Sequence, residues 1–213
     1  MKKSSNLLVS KNKTLLYGAS GHAKVICSIF ESMDVIVTSI FDDNENVVLK
    51  NYCVINGYDS LYEPDLPVLI SIGNNFTRKQ ISEKVSHSFS TAIHFSSVLD
   101  DLAKIGLGTA VFHGAIVQRD TIIGKHCIIN TNSSVDHDCI IDDFVHIAPS
   151  ATLCGNIKVG EGTLIGANST ILPNITIGKW CVIGAGAVVT CNIPDYSLVV
   201  GVPGKIVKIF KND

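Results

Sequence analysis

The chain has 213 residues, 46% of them hydrophobic and 17% charged, with a formal charge of −2 at pH 7. That balance gives no electrostatic basis for gripping nucleic acid or an anionic membrane, and no apolar run nears the roughly 18 residues that span a bilayer. Seven Cys without C-x-x-C spacing predict reduced thiols in a cytoplasmic protein rather than a disulfide framework.

Residues 1–13 read as an N-terminal tail, because the apolar stretch after Met1-Lys2-Lys3 is too short for a signal peptide. Thr14–Tyr17 then predicts a strand that runs into Gly18-Ala19-Ser20-Gly21-His22, and Val25, Ile26, Ile29 and Phe30 follow at helical spacing. Glycines in such a turn let the backbone approach a phosphate, and a helix N-terminus offers free N–H groups to it. Gly-x-x-Gly-His is not the full dinucleotide fingerprint, so a tight turn without a ligand stays open as a reading of this motif alone.

A second strand, Val35–Phe41, ends in Asp42-Asp43, where carboxylates can accept from a ribose or a base edge. A third strand begins at Pro67 and ends in Gly73-Asn74-Asn75, and Phe76–Val85 predicts a charged amphipathic helix. Strands alternating with helices over residues 14–90 predict a small Rossmann-like parallel α/β domain, with ligands beyond the carboxyl ends of the strands. All three loops fall on that rim and together favour a nucleotide-containing ligand.

Over residues 91–195 the period changes. Every sixth residue from Ile93 to Val189 is Ile, Leu or Val without interruption, and four places after each comes a small or β-branched residue. Gly recurs one place after the aliphatic residue, at Gly106, Gly124, Gly160, Gly166, Gly178 and Gly184, where the expectation is a turn with positive φ. A period of six fits neither a helix nor a hairpin array. It resembles the hexapeptide-repeat left-handed parallel β-helix, in which three hexads make one triangular coil. Cys127, Cys139 and Cys181 fall at the small position and read as packing groups. Residues 196–213 form a C-terminal segment.

Among seven His, only His137 has a carboxylate on each side, Asp136 and Asp138. Its place in the hexad puts it outside the coil, and a neighbouring carboxylate can fix the imidazole tautomer and raise its pKa, as a general base near neutral pH requires. A metal site is not expected: His137 and His146 are nine apart, and no third His lies one coil away.

Taken in order, Gly18–His22, Phe41-Asp42-Asp43, Ile72–Asn75, the hexads and Gly201-Val202-Pro203-Gly204-Lys205 resemble bacterial sugar acetyltransferases. The nearest types are nucleotide-amino-sugar N-acetyltransferases of the bacillosamine kind, with sialic acid O-acetyltransferases nearby. Two departures from that pattern are Asp138, where the bacillosamine enzyme carries Glu, and Gly204, where Ala is usual. The resemblance implies a homotrimer that binds acetyl-CoA between the β-helices of adjacent subunits. It implies His137 as general base with Asp138 as its partner, and His146, Gly155, Ala167 and Ala185 as acetyl-CoA contacts. Ser20, Gly21, His22, Asp42, Asp43 and Gly73 would hold the nucleotide-linked sugar. The expected activity is acetyl-CoA-dependent N-acetylation of a nucleotide-linked amino-deoxy-sugar, with O-acetylation of a sugar or sialic acid as the alternative. A non-catalytic β-helix scaffold is the reading from another class.

Overall fold

The computed structural model describes residues 12–210; residues 1–11, most of the segment read as a tail, and residues 211–213 lie outside it. The first unit runs β1 (Lys13–Tyr17), α1 (Gly21–Ser32), β2 (Ile36–Asp42), β3 (Val54–Asn56), β4 (Val68–Ile70) and α2 (Asn75–Lys84). Its sheet has the order β3-β2-β1-β4 with every pair parallel. Three of the strands and both helices match the hydrophobic pattern within a few residues. The edge strand β3 was not expected, since three half-exposed residues carry too little periodicity to be read.

Two helices are held differently. In α1, Ala23, Ile26, Cys27 and Phe30 are buried along one stripe, the spacing an amphipathic helix needs to pack on a sheet. In α2, the buried residues are Asn75, Arg78 and Ile81, so its inner face is mostly polar. Asn74 starts α2 by accepting from Thr77 N–H at 2.9 Å, a side-chain cap for an otherwise unpaired donor.

Seventeen two-residue strands follow, from β5 (Ala92–Ile93) to β21 (Val188–Val189). Each pairs in parallel with the strand 18 residues away, for example Ile128 with His146 and Val135 with Leu153. Three short strands therefore make one coil, and the coils stack into a left-handed parallel β-helix with three faces. Ala110, Ile128, His146 and Leu164 run up the first face; Ile116, Ser134, Thr152 and Thr170 up the second; Ile122, Ile140 and Lys158 up the third. The aliphatic register fills the interior: Val111, Ile129, Val135, Ile147, Leu153 and Ile165 are all fully buried. Cys127, Cys139 and Cys181 are buried among them, and burial pushes the first two thiols up to about 12 and about 11. β22 (Ser197–Val200) extends the first face, and β23 (Lys205–Ile209) folds back antiparallel on it.

The glycines one place after the aliphatic residue do not have positive φ. Positive φ falls instead three places after it, at every sixth residue from Gly108 to Gly186, and only Gly108, Gly114, Gly162 and Gly186 of these are glycine. Asn, Asp, Ser, His, Phe and Trp occupy the rest. The other glycines answer to close stacking: a Cβ on Gly106 would lie 2.5 Å from the Gly124 carbonyl carbon, and one on Gly160 would lie 2.7 Å from that of Gly178.

The α/β unit packs on the first face, where Ala23, Ile26 and Phe30 join Ala92, Ala110, Phe112 and Ile128 in one buried cluster.

Candidate active site

His137 stands at the corner between the second and third faces. Asp136 fixes its backbone by accepting from His137 N–H at 2.8 Å, and the His137 carbonyl accepts from Asn156 N–H at 2.9 Å in the next coil. Nδ1 is 2.7 Å from the Asp138 carboxylate, so Nδ1 carries the proton and Nε2 is left as the acceptor. The side chain is 58% exposed. The Asp138 hydrogen bond, and then the charge of Asp136, raise its pKa above the ordinary 6.5. One coil on, Gly155 supplies the floor: a Cβ there would lie 2.6 Å from the ring carbon Cε1. Asp138 adopts φ +59°, a left-handed conformation that short Asp and Asn tolerate far better than longer side chains do.

The rim of the α/β unit gathers the second set. Gly18 has φ +106° and packs against Ile72, while Ser20 is the N-cap of α1 in extended conformation and makes no side-chain cap bond. Asp42 is spent on the backbone, accepting from Ala19 N–H at 2.6 Å and Asn44 N–H at 2.9 Å. Asp43 accepts from the Tyr17 hydroxyl at 2.8 Å, and Lys84 bridges the two from 3.0 and 3.3 Å. Both carboxylates thus organise the loops around them. Sequence reasoning missed Tyr17 and Lys84; their only signal was a polar group at the carboxyl end of a strand and in the last turn of a helix.

Between rim and β-helix lies a histidine pair. His22 stacks on Phe112 at 5.2 Å and tilts toward His146 at 6.5 Å. His146 Nε2 pairs with the Asn130 side chain at 3.0 Å, and His22 Nε2 is buried with no partner. Burial, and then the Arg78 guanidinium, hold His22 down to about 4 and His146 down to about 3. Both are neutral at physiological pH, so each ring offers one donor and one acceptor and no charge. Gly73 and His146 also line a cavity of about 430 Å³ with Phe76, Leu164, Trp180 and Val182.

These groups do not converge within one chain. His22, Gly73 and His146 meet at the first face; Ala167 and Ala185 lie where the first and second faces join; His137 and Gly155 lie at the corner between the second and third faces. Among the described residues, no three His, Cys, Asp or Glu side chains come together as a metal site, and no helix is long and apolar enough to cross a membrane.

A parallel α/β unit docked on a hexapeptide β-helix, with an exposed His–Asp pair on one corner, defines a class of hexapeptide-repeat transferases. Residues 13–85 match the PglD N-terminal domain model and residues 156–191 the bacterial transferase hexapeptide model. A mutant perosamine N-acetyltransferase from Caulobacter crescentus, solved with CoA and GDP-perosamine, is 32% identical, with a TM-score of 0.87 over 95% of this chain and 97% of that one. The acetyltransferase domain of PglB from Neisseria gonorrhoeae, solved with acetyl coenzyme A, is 32% identical with a TM-score of 0.86 over 92% and 100%. GDP-perosamine N-acetyltransferase of Escherichia coli O157:H7 is 33% identical over 93 residues, an alignment spanning 42% of either chain. The chain belongs to the family of PglD-like hexapeptide-repeat sugar acetyltransferases.

Proposed function

We propose that the protein is an acetyl-CoA-dependent N-acetyltransferase, acting in the cytoplasm on the amino group of a nucleotide-linked amino-deoxy-sugar. The observation that carries the reading is the His137–Asp138 pair, an exposed imidazole with a fixed tautomer and a free Nε2, set in a fold whose relatives bind CoA and GDP-perosamine.

In this reading the neutral amine attacks the thioester carbonyl directly. His137 Nε2 takes the amine proton as the C–N bond forms, and the C–S bond then breaks to release CoA. A backbone N–H near Gly155 steadies the oxyanion. Asp138 holds the ring and stabilises the imidazolium that appears during transfer. No covalent acyl-enzyme is invoked, because burial raises the pKa values of the Cys127 and Cys139 thiols and keeps them protonated. Ser20, Gly21, His22, Asp42, Asp43 and Gly73 form the nucleotide-sugar side; His146, Gly155, Ala167 and Ala185 form the acetyl-CoA side.

Their separation on one chain supports a homotrimer in which the rim of one subunit faces the His137 corner of the next. Such a shared site makes a definite demand: co-assembly of a His137→Ala chain with a chain defective at the Gly73 loop restores part of the activity that each lacks alone.

The decisive assay offers acetyl-CoA with UDP-, dTDP- and GDP-linked amino sugars, and separately with free sialic acid, and follows release of the CoA thiol. Turnover with an amino sugar and none with sialic acid is the expected result. Acetylation of sialic acid alone would turn the reading to O-transfer, and failure to bind acetyl-CoA by calorimetry would leave a scaffold.

A further inference from the structure

The inner face of α2 is polar where an apolar stripe would serve packing better. Arg78 is 1% exposed, and its hydrogen bonds go to carbonyls rather than to a carboxylate. Nε donates to His126 O at 2.7 Å, and Nη1 donates to Ile72 O and Gly73 O at 3.0 and 3.2 Å. Nη2 donates to Asn75 Oδ1 and Phe144 O at 2.8 and 2.9 Å. Asn75 in turn donates from Nδ2 to Gly162 O and Thr163 O at 2.9 and 3.2 Å. His126, Phe144 and Gly162 hold the same place in three successive coils, each at positive φ.

Two neighbouring side chains of α2 therefore tie the loop after β4 to three rungs of the β-helix. Burying a guanidinium without an anion is expensive, and apolar residues fill such a seam at less cost. What the apolar solution lacks is direction. With the Ile72 and Gly73 carbonyls drawn toward Arg78, planar trans peptides turn the N–H groups of Gly73 and Asn74 to the opposite side.

We propose that Arg78 is a positioning residue for the nucleotide-linked sugar: it fixes the Gly73 loop in one shape, and at one height on the β-helix, so that the loop meets the sugar nucleotide next to the reacting centre. This rests on the activity proposed above. Geometry, not charge, is the point, and Lys separates the two. A Lys at this position keeps the positive charge, but its ammonium is a single point that cannot reach the loop carbonyls on one side and the coil carbonyls on the other.

The test is Arg78→Lys in the full chain, read by steady-state kinetics with acetyl-CoA and the best sugar of the panel above, and by calorimetry with GDP, UDP and dTDP alone. The expected result is a tenfold or greater rise in the KM for the nucleotide sugar, with the KM for acetyl-CoA within twofold and kcat within threefold. The same variant should bind the preferred nucleotide at least tenfold more weakly. A nucleotide-sugar KM within twofold of the parent, or equal losses in kcat and in both KM values, overturns the proposal, since a merely structural role predicts one or the other. If Arg78→Lys fails to fold, Asn75→Ala carries the test, with at least a threefold rise confined to the nucleotide-sugar KM; no rise overturns the proposal. If the parent protein acetylates no sugar, the proposed activity fails, but the nucleotide titrations still decide this one. Equal affinity in parent and variant, or no nucleotide binding by the parent, overturns it.

Discussion

The chemistry proposed for His137 depends on three neighbours, each with a separable effect. His137→Ala removes the base and should lower kcat at least about 10²-fold with the oligomer intact by sedimentation. The carboxylates of Asp138 and Asp136 raise the His137 pKa, so the unprotonated, active form is lost as pH falls through a value above 6.5. Asp138→Asn should move that acid limb of kcat/KM to lower pH, because the amide no longer stabilises the imidazolium. Gly155→Ala puts a methyl against the ring and should displace the exposed imidazole. The expected outcome is a large loss of kcat with almost no change in the urea midpoint; an unchanged kcat would show that the ring does not act from this position. His137 was legible in the sequence because its partners are its chain neighbours. Arg78 was not, since its partners His126 and Phe144 reach it only when the two units dock.

At the scale of the element, the hexad frame read from the aliphatic residues is the frame of the β-helix, and the coil length of 18 follows from it. The second residue of each two-residue strand packs into the interior, and the residue four places later packs beside it, so the period of the wall is six. The glycines were read in the wrong role because a sequence shows that a Cβ is missing, not why. A pair of substitutions separates the two reasons. Gly160→Ala has no conformational strain to fear but meets the backbone of the next coil, and should cost about 1–3 kcal/mol by urea unfolding. Gly186→Asn, at φ +69° with open space around its Cβ, should cost well under about 1 kcal/mol, as Asn visits this region readily.

For the whole molecule, the seam between the units sets the response to acid. Desolvation first, and then the charge of Arg78, hold His22 and His126 down to about 4, and His146 down to about 3. All three are neutral when folded, whereas in the unfolded chain they take up protons near 6.5. The unfolded state therefore binds more protons below that pH. Stability should fall as pH drops from about 6.5 toward 4, by up to about 1.4 kcal/mol per pH unit for each fully displaced proton. Urea midpoints at pH 7, 6 and 5 measure this slope. His126→Asn, which keeps a residue suited to φ +53°, should flatten it by one proton's share. A slope that did not change would mean that His126 titrates normally in the folded protein.

The amino-acid sequence by itself determined the two architectures and their order, because each is written in a short-range period: alternating strand and helix patterns in the first unit, six residues in the second. It also determined the His137–Asp138 pair, which needs no partner from elsewhere in the chain. Tertiary structure alone decided which groups surround the rim and where the rim stands. The buried guanidinium, the neutral histidine pair and the separation of His137 from the rim loops all arise where residues far apart in sequence meet in space, and no local pattern records such a meeting.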